Sequence, residues 1–212
     1  MILDKYDVIL FDLDGTLLDT SPGIFGSVRF AEKSMGLTPI PDEQLRSFVG
    51  PPPKESYMKN YGLSEADAAA ATDYHRQYGA EHGVYEATVY DGIPEWLDKL
   101  KTAGKLLGVC TLKRQDIAEN VLRNFGLYDC LDVIFGIDQG ESLTKADTID
   151  LALKKVNCTD KSKVVLIGDS MYDAEGAENA GIDFIGVTYG FGLSKDKSYP
   201  FCVCDTIDEM LK

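Results

Sequence analysis

The chain has 212 residues, 35 acidic and 21 basic side chains, a net charge of −14, and 44% hydrophobic and 26% charged residues. That length accommodates one large domain or a core with a smaller insert, and the composition is ordinary for a folded protein. So acidic a surface repels nucleic-acid polymers and anionic membranes, and no stretch approaches the ~20 apolar residues of a bilayer span. An anionic substrate would therefore need a local cluster of positive charge, from a metal ion or a few lysines. The apolar run Val8–Phe11, flanked by Asp4 and Asp7, is too short for a secretory leader. The expected location is cytoplasmic.

Val8-Ile-Leu-Phe reads as a buried strand that stops at Asp12-Leu13-Asp14-Gly15-Thr16. Ligands of parallel α/β sheets bind in the crevice beyond the carboxyl ends of the strands. Asp12 and Asp14 are expected there, a few Å apart. Crowded carboxylates repel unless a cation or a proton intervenes. An oxygen-rich cluster suits Mg²⁺, and a carboxylate can also attack phosphorus.

Residues 20–88 change character. Ser21-Pro22 opens a helix to about Met35, which Gly36 ends. A short helix over 42–49 is broken by Gly50-Pro51-Pro52-Pro53, and Lys54–Asn60 and Ser64–His82 are helical again, the last opening on a capping box. No convincing strand occurs in this block, so an all-helical insert is expected.

From Tyr90 onward, strands and helices alternate, the pattern of βαβ units in a parallel sheet. Strands are expected at Lys105–Thr111, Val133–Gly136, Val164–Ile167, Ile185–Val187 and Phe201–Cys204. Helices are expected at Ile93–Ala103, Asp116–Phe125, Lys145–Val156 and Met171–Ala180, with a short one last. The organisation is thus a core of residues 1–19 and 89–212 and a helical cap of residues 20–88. The five cysteines (110, 130, 158, 202, 204) form no C-x-x-C and read as free thiols. His75 and His82 read as solvent-exposed side chains rather than ligands.

Later strand ends carry further polar groups: Thr111 with Lys113 and Arg114, then Gly168-Asp169-Ser170 and Asp173. Lys145 opens a helix, where the dipole disfavours a cation. Singly, each has a plain explanation: a β-branched strand residue, a solvated lysine, a turn, an acid in a first helical turn. Their joint order on successive strand ends has none. Nucleophile, metal and cationic support are the equipment of phosphoryl transfer.

With these four segments in order, the chain resembles the haloacid dehalogenase-like hydrolase superfamily over nearly its whole length. Asp12-Leu13-Asp14-Gly15-Thr16 looks like that family's first motif, Thr111 sits at the second, and Lys145 at the third. Gly168-Asp169-Ser170-Met171-Tyr172-Asp173 matches the fourth, and the helical insert resembles the cap of the phosphoglycolate phosphatase-like branch. Two positions depart from the common pattern: Leu112 follows Thr111, and Ala146 follows Lys145. The resemblance implies a Rossmann-like three-layer α/β core with a parallel sheet. It implies Asp12 as nucleophile forming an aspartyl-phosphate, and Asp14 as the acid and then the base. Mg²⁺ would be held by Asp12, the Asp14 main-chain carbonyl and Asp169. Asp173 would orient a metal-bound water or Lys145, and Thr111 and Lys145 would hold phosphoryl oxygens. Phe48-Val49-Gly50-Pro51-Pro52 resembles a substrate-facing cap loop, so Gly50, Lys54 and Lys113, with Arg46, are candidates to meet substrate, and the cap would act as a lid.

The substrate implied is a small phosphomonoester such as phosphoglycolate. A 5′-nucleotidase-like activity is the neighbouring alternative, with Tyr57, Tyr61, Tyr74 and Tyr78 either stacking a base or packing a core. A phosphosugar mutase is a third, and a non-catalytic phosphoacceptor or binding module the alternative outside enzymes. A dehalogenase has no use for an acid/base at Asp14.

Overall fold

The computed structural model describes residues 2–138, 140 and 142–210. Six parallel strands form one sheet in the order β5-β4-β1-β6-β7-β8: β1 (Val8–Phe11), β4 (Leu106–Arg114), β5 (Val133–Ile137), β6 (Val164–Gly168), β7 (Asp183–Val187) and β8 (Cys202–Cys204). Helices α5 (Ile93–Thr102) and α6 (Gln115–Asn124) cover one face, and α7 (Lys145–Lys155) and α8 (Met171–Ala180) the other. The chain closes with α9 (Ile207–Met210).

The continuous apolar run of β1 follows from this layering. Ile9 and Phe11 join Leu107, Val109, Val165, Ile167 and Trp96 in one cluster, while Val8 and Leu10 join Leu166, Ile149, Leu153 and Ala177 in the other. A strand buried on both faces has no polar alternation. Phe11 and Trp96 meet edge-to-face at 5.3 Å, which seats α5 against the centre of the sheet.

The strand order reverses at β1. The chain runs outward from it to β4 and β5, then returns to its other side for β6, β7 and β8. The crevice at such a reversal is where this architecture binds ligands. Asp12, the first residue past β1, lies there, its N–H bonded to the Ile167 carbonyl at 2.8 Å.

Four helices occupy the segment between β1 and α5: α1 (Ser21–Met35), α2 (Asp42–Leu45), α3 (Pro53–Tyr61) and α4 (Glu65–Glu81). They enclose their own apolar cluster, with Ile24, Val28, Leu45, Phe48, Tyr57, Ala68 and Ala71 buried. Gly36 and Gly62 end α1 and α3 in the left-handed conformation, as glycine permits. At the root of the block, β2 (Leu18–Asp19) and β3 (Thr88–Val89) pair antiparallel. This short ribbon has no counterpart in the sequence reading, since two residues carry no detectable period. β4 is likewise longer than expected, continuing through a register shift to Arg114 and carrying Lys113 with it.

No helix among the described residues is long and apolar enough to cross a membrane. All five cysteines are free.

Leu166 is fully buried in the central strand β6. Leu166→Ala should lower stability by about 3 kcal/mol. In a chain of this size that is a fall in melting temperature of roughly 6–12 °C by differential scanning calorimetry, without change of fold.

Candidate active site

Beyond β1 the chain turns through Gly15, whose φ of +80° favours glycine. A Cβ there would lie 2.4 Å from Asp169 Oδ2, so the turn must pass against the end of β6. Asp12 and Asp14 are thereby brought to the same rim as Asp169, and both are buried.

Lys145 is the first residue of α7 and only 5% exposed. Its ammonium donates to Asp12 Oδ1 at 2.6 Å and pairs with Asp173 Oδ1 at 2.5 Å. Gly176 on α8 makes room for its stem, since a Cβ there would lie 2.4 Å from Lys145 Cγ. Asp173 is fixed from its own helix: Ser170 N and Oγ donate to Asp173 Oδ2 in the capping box of α8. The unfavourable placing of a cation at a helix N-terminus is thus offset by two carboxylates at hydrogen-bond range.

Burial opposes the charge on Lys145, but Asp12 and Asp173 outweigh it and hold the ammonium protonated. Burial pushes the Asp12 carboxyl up to about 6, with Lys145 opposing and the Asp173 and Asp14 carboxylates adding to the rise. Asp169 is pushed to about 8 by burial and then by Asp173 and Asp12, against the hydrogen bonds from Phe191 and Gly192 N–H. Oxygens of Asp12, Asp169 and Asp173 lie within 4.8 Å of one another. Asp12, Asp169 and Asp173 thus crowd the single ammonium of Lys145, while Asp14 is paired with Lys113. Hard carboxylate oxygens so crowded are a donor set suited to a divalent ion such as Mg²⁺.

Asp14 has its own partners. Lys113 Nζ donates to both of its oxygens at 2.9 Å, and Thr20 Oγ1 donates to Oδ1 at 2.6 Å. Thr111 is buried two residues beyond the Phe11–Val109 register pair, and its Oγ1 accepts from Lys113 N at 3.2 Å. A cavity of about 110 Å³ opens beside Asp14 and Lys113 and runs to the helical block, where Gly50, Phe48, His75 and Arg76 line it.

The structure gathers Asp12, Asp169, Asp173 and Lys145 into one cluster, and Asp14, Lys113 and Gly50 onto one cavity. It places Lys54 elsewhere: this side chain pairs with Glu65 at 2.7 Å and does not line the cavity. Arg46 is exposed and also outside the lining. Arg76 lines the cavity instead. Helical spacing puts it on the cavity side of α4, a face that no motif in the sequence marks. Tyr57 and Tyr61 belong to the cluster inside the helical block, Tyr74 and Tyr78 pack on Phe30, and none of the four lines the cavity. Thr20 and the glycine-rich turn at 190–192 also reach the site carboxylates, and the Gly190-Phe191-Gly192 spacing is the signal of the turn in the sequence.

His75 corrects the expectation of exposure. It is buried, its Nδ1 lies 3.3 Å from Tyr57 Oη, and it is packed because α4 turns that face onto α1 and α3 rather than to solvent.

Residues 9–187 match the haloacid dehalogenase-like hydrolase family. A 5′-nucleotidase of Pseudomonas aeruginosa is 37% identical over 188 residues, 89% of this chain and 85% of its own. The tyrosine-protein kinase PtkA of Mycobacterium tuberculosis is 33% identical over 208 residues, 96% of this chain and 70% of its own. A phosphoglycolate phosphatase of Caulobacter vibrioides is 31% identical over 191 residues, 86% and 79%. The crystal structure of a predicted phosphatase from Clostridium acetobutylicum superposes with a TM-score of 0.89 at 37% identity, covering 97% of this chain and 96% of that one. The chain belongs to the haloacid dehalogenase-like hydrolase family. It is an enzyme of that hydrolase class, on the family's α/β fold.

Burial, then Lys113 and Arg76, push the His75 imidazole down from 6.5 to about 3. A lowered folded-state value means the unfolded chain takes up the proton first. The contribution to stability is full above pH 6.5 and is lost as pH falls toward 3, by about 1.4 kcal/mol per pH unit. Melting temperatures between pH 7 and 4.5 should fall less steeply for His75→Gln than for the parent chain; parallel curves would contradict this.

Proposed function

We propose that the chain is a Mg²⁺-dependent phosphatase that hydrolyses small phosphomonoesters through an aspartyl-phosphate on Asp12. The observation that carries this reading is the buried Lys145 ammonium on Asp12, beside Asp169 and Asp173. Asp12, Asp169 and the Asp14 main-chain carbonyl would hold Mg²⁺, which when bound supplies positive charge to the phosphoryl oxygens.

Asp12 attacks phosphorus, the bond to the leaving oxygen breaks, and Asp14, having taken up a proton as Lys113 turns from it to the phosphoryl group, gives that proton to the leaving oxygen. Asp14 then takes a proton from the water that attacks the aspartyl-phosphate, releasing inorganic phosphate and restoring Asp12. Lys145 fixes the attacking oxygen and offsets repulsion between Asp12 and its anionic target. Thr111 offers a hydroxyl, and Lys113 a cation, to the phosphoryl group. Asp173 acts through Lys145 by holding its ammonium in place. Residues 20–88 serve as the cap on a core of residues 1–19 and 89–212, and exclude water from the intermediate.

The leaving group occupies the cavity between cap and core. Arg76, Lys113 and Arg114 line it, paired with Asp73, Asp14 and Asp116, so three cations stand at one cavity where an anionic substrate can share them, inside a chain of charge −14. That favours a leaving group with a second anionic group, as in phosphoglycolate. A nucleoside 5′-monophosphate is the second reading, favoured by the 37% identical 5′-nucleotidase.

Asp12→Asn should lower kcat for p-nitrophenyl phosphate by about 10³-fold or more, because an amide is no nucleophile. Retained phosphate release in that variant sinks the mechanism. Chelation should abolish turnover and added Mg²⁺ restore it. In a panel of phosphoglycolate, nucleoside monophosphates and hexose phosphates, Arg76→Gln should reduce kcat/KM about tenfold for phosphoglycolate only, the ester with an added carboxylate, the weight of one charged hydrogen bond. Equal loss across the panel would remove Arg76 from substrate selection.

A further inference from the structure

The loop after β7 takes no part in the chemistry above, yet it touches both Asp169 and the helical block. Phe191 N and Gly192 N donate to Asp169 Oδ2 at 2.6 and 3.3 Å, and Leu193 N donates to the Asp169 carbonyl at 2.7 Å. The approach is close enough that only glycine fits before them. A Cβ at Gly190 would lie 2.4 Å from both Asp169 Oδ2 and the Gly15 carbonyl oxygen. Tyr189 Oη ties the same strip to the Thr16 carbonyl at 3.0 Å.

The Phe191 ring leads in another direction. It packs against the apolar cluster of the helical block, with Ile24, Val28, Leu45, Phe48 and Tyr57 at its centre. Among the described residues, every other member of that cluster lies between positions 24 and 71. Phe191 alone reaches it from the sheet side. Glycines at 190 and 192 admit this close approach, and the seated ring adds its hold on the two N–H groups to those of the Leu193 and Tyr189 hydrogen bonds.

We infer that Phe191 is a positioning residue, coupling the seating of the helical block to the orientation of the Asp169 carboxylate. This rests on the reading of Asp169 as a metal ligand. Partners that orient a ligating carboxylate weigh heavily on affinity, since losing one weakens metal binding 10- to 100-fold in typical cases. Removing the ring frees the amides that face Oδ2 without touching any ligand atom.

The test is Mn²⁺ titration of the whole chain followed by electron paramagnetic resonance, which needs no turnover. Phe191→Ala should weaken Mn²⁺ binding about tenfold, and Phe191→Leu, which keeps an apolar group in the cluster, should recover most of it. Tyr61→Phe serves as control: it removes the hydroxyl that donates to Glu32 at 2.6 Å but keeps the ring in the apolar cluster that seats Phe191. It should bind Mn²⁺ like the parent chain. Unchanged affinity in Phe191→Ala, or an equal loss in Tyr61→Phe, overturns the inference and leaves the metal reading standing. Absence of Mn²⁺ binding in the parent chain overturns both. Should Phe191→Ala not fold, Phe191→Leu and Phe191→Val must show a graded loss, and equal affinity in the two would count against the coupling.

Discussion

One ammonium group ties the site together. Lys145 Nζ lies between Asp12 and Asp173 at 2.6 and 2.5 Å, with all three side chains buried. Charges withdrawn from water in this way are tolerable only when each is paired, and removing one strands the others. The pairing needs three elements in register at one nitrogen: α7 to present the lysine, α8 to fix Asp173 through its cap, and β1 to deliver Asp12. Gly176 is the accommodation that lets α7 and α8 approach closely enough. The geometry that orients the proposed nucleophile is therefore also a seam of the fold. The crowding of Asp12, Asp169 and Asp173 around this one ammonium is the feature on which the proposed metal site rests.

The helical block gives the site a second wall of different electrostatic character. The chain as a whole repels anions, while Arg76 and Arg114 stand with Lys113 on the cavity beside Asp14. Neutral His75 adds a polar group there without adding charge. A buried Tyr57, packed on Phe48 at 5.0 Å and within 3.3 Å of His75 Nδ1, backs that wall. On the proposed reading, selection of the leaving group falls to α4 and selection of phosphate to the sheet.

Much of this was legible in the residues. An apolar run ending in Asp-Leu-Asp-Gly-Thr marks a doubly buried strand and the turn beyond it, and the Gly-Asp-Ser-Met-Tyr-Asp segment marks both the end of β6 and the cap of α8. Helix ends at Gly36 and Gly181 follow from the left-handed backbone that glycine accepts. What stayed hidden depends on tertiary contact. The β2–β3 ribbon is too short to show alternation. His75 and Arg76 are adjacent residues on a helix of weak amphipathic pattern, and only packing tells which is buried. Lys54 looked well placed by its distance from Gly50 in the chain, but α3 carries it toward Glu65. The role of Phe191 was invisible, because both groups it serves lie far away in sequence.

The central position of β1 bears on how the molecule is assembled. Its hydrogen-bonding neighbours are β4, about a hundred residues later, and β6, later still. As the polypeptide leaves the ribosome, the middle of the sheet emerges first and has nothing to pair with. The helices that follow hold an apolar cluster drawn almost wholly from positions 24–71 and can condense locally, since short loops close at little entropic expense. Strand β1 finds its first partner only when the chain has reached β4, and stays open along its other edge until β6 has been translated. This is a natural point for chaperone capture or aggregation to compete with folding.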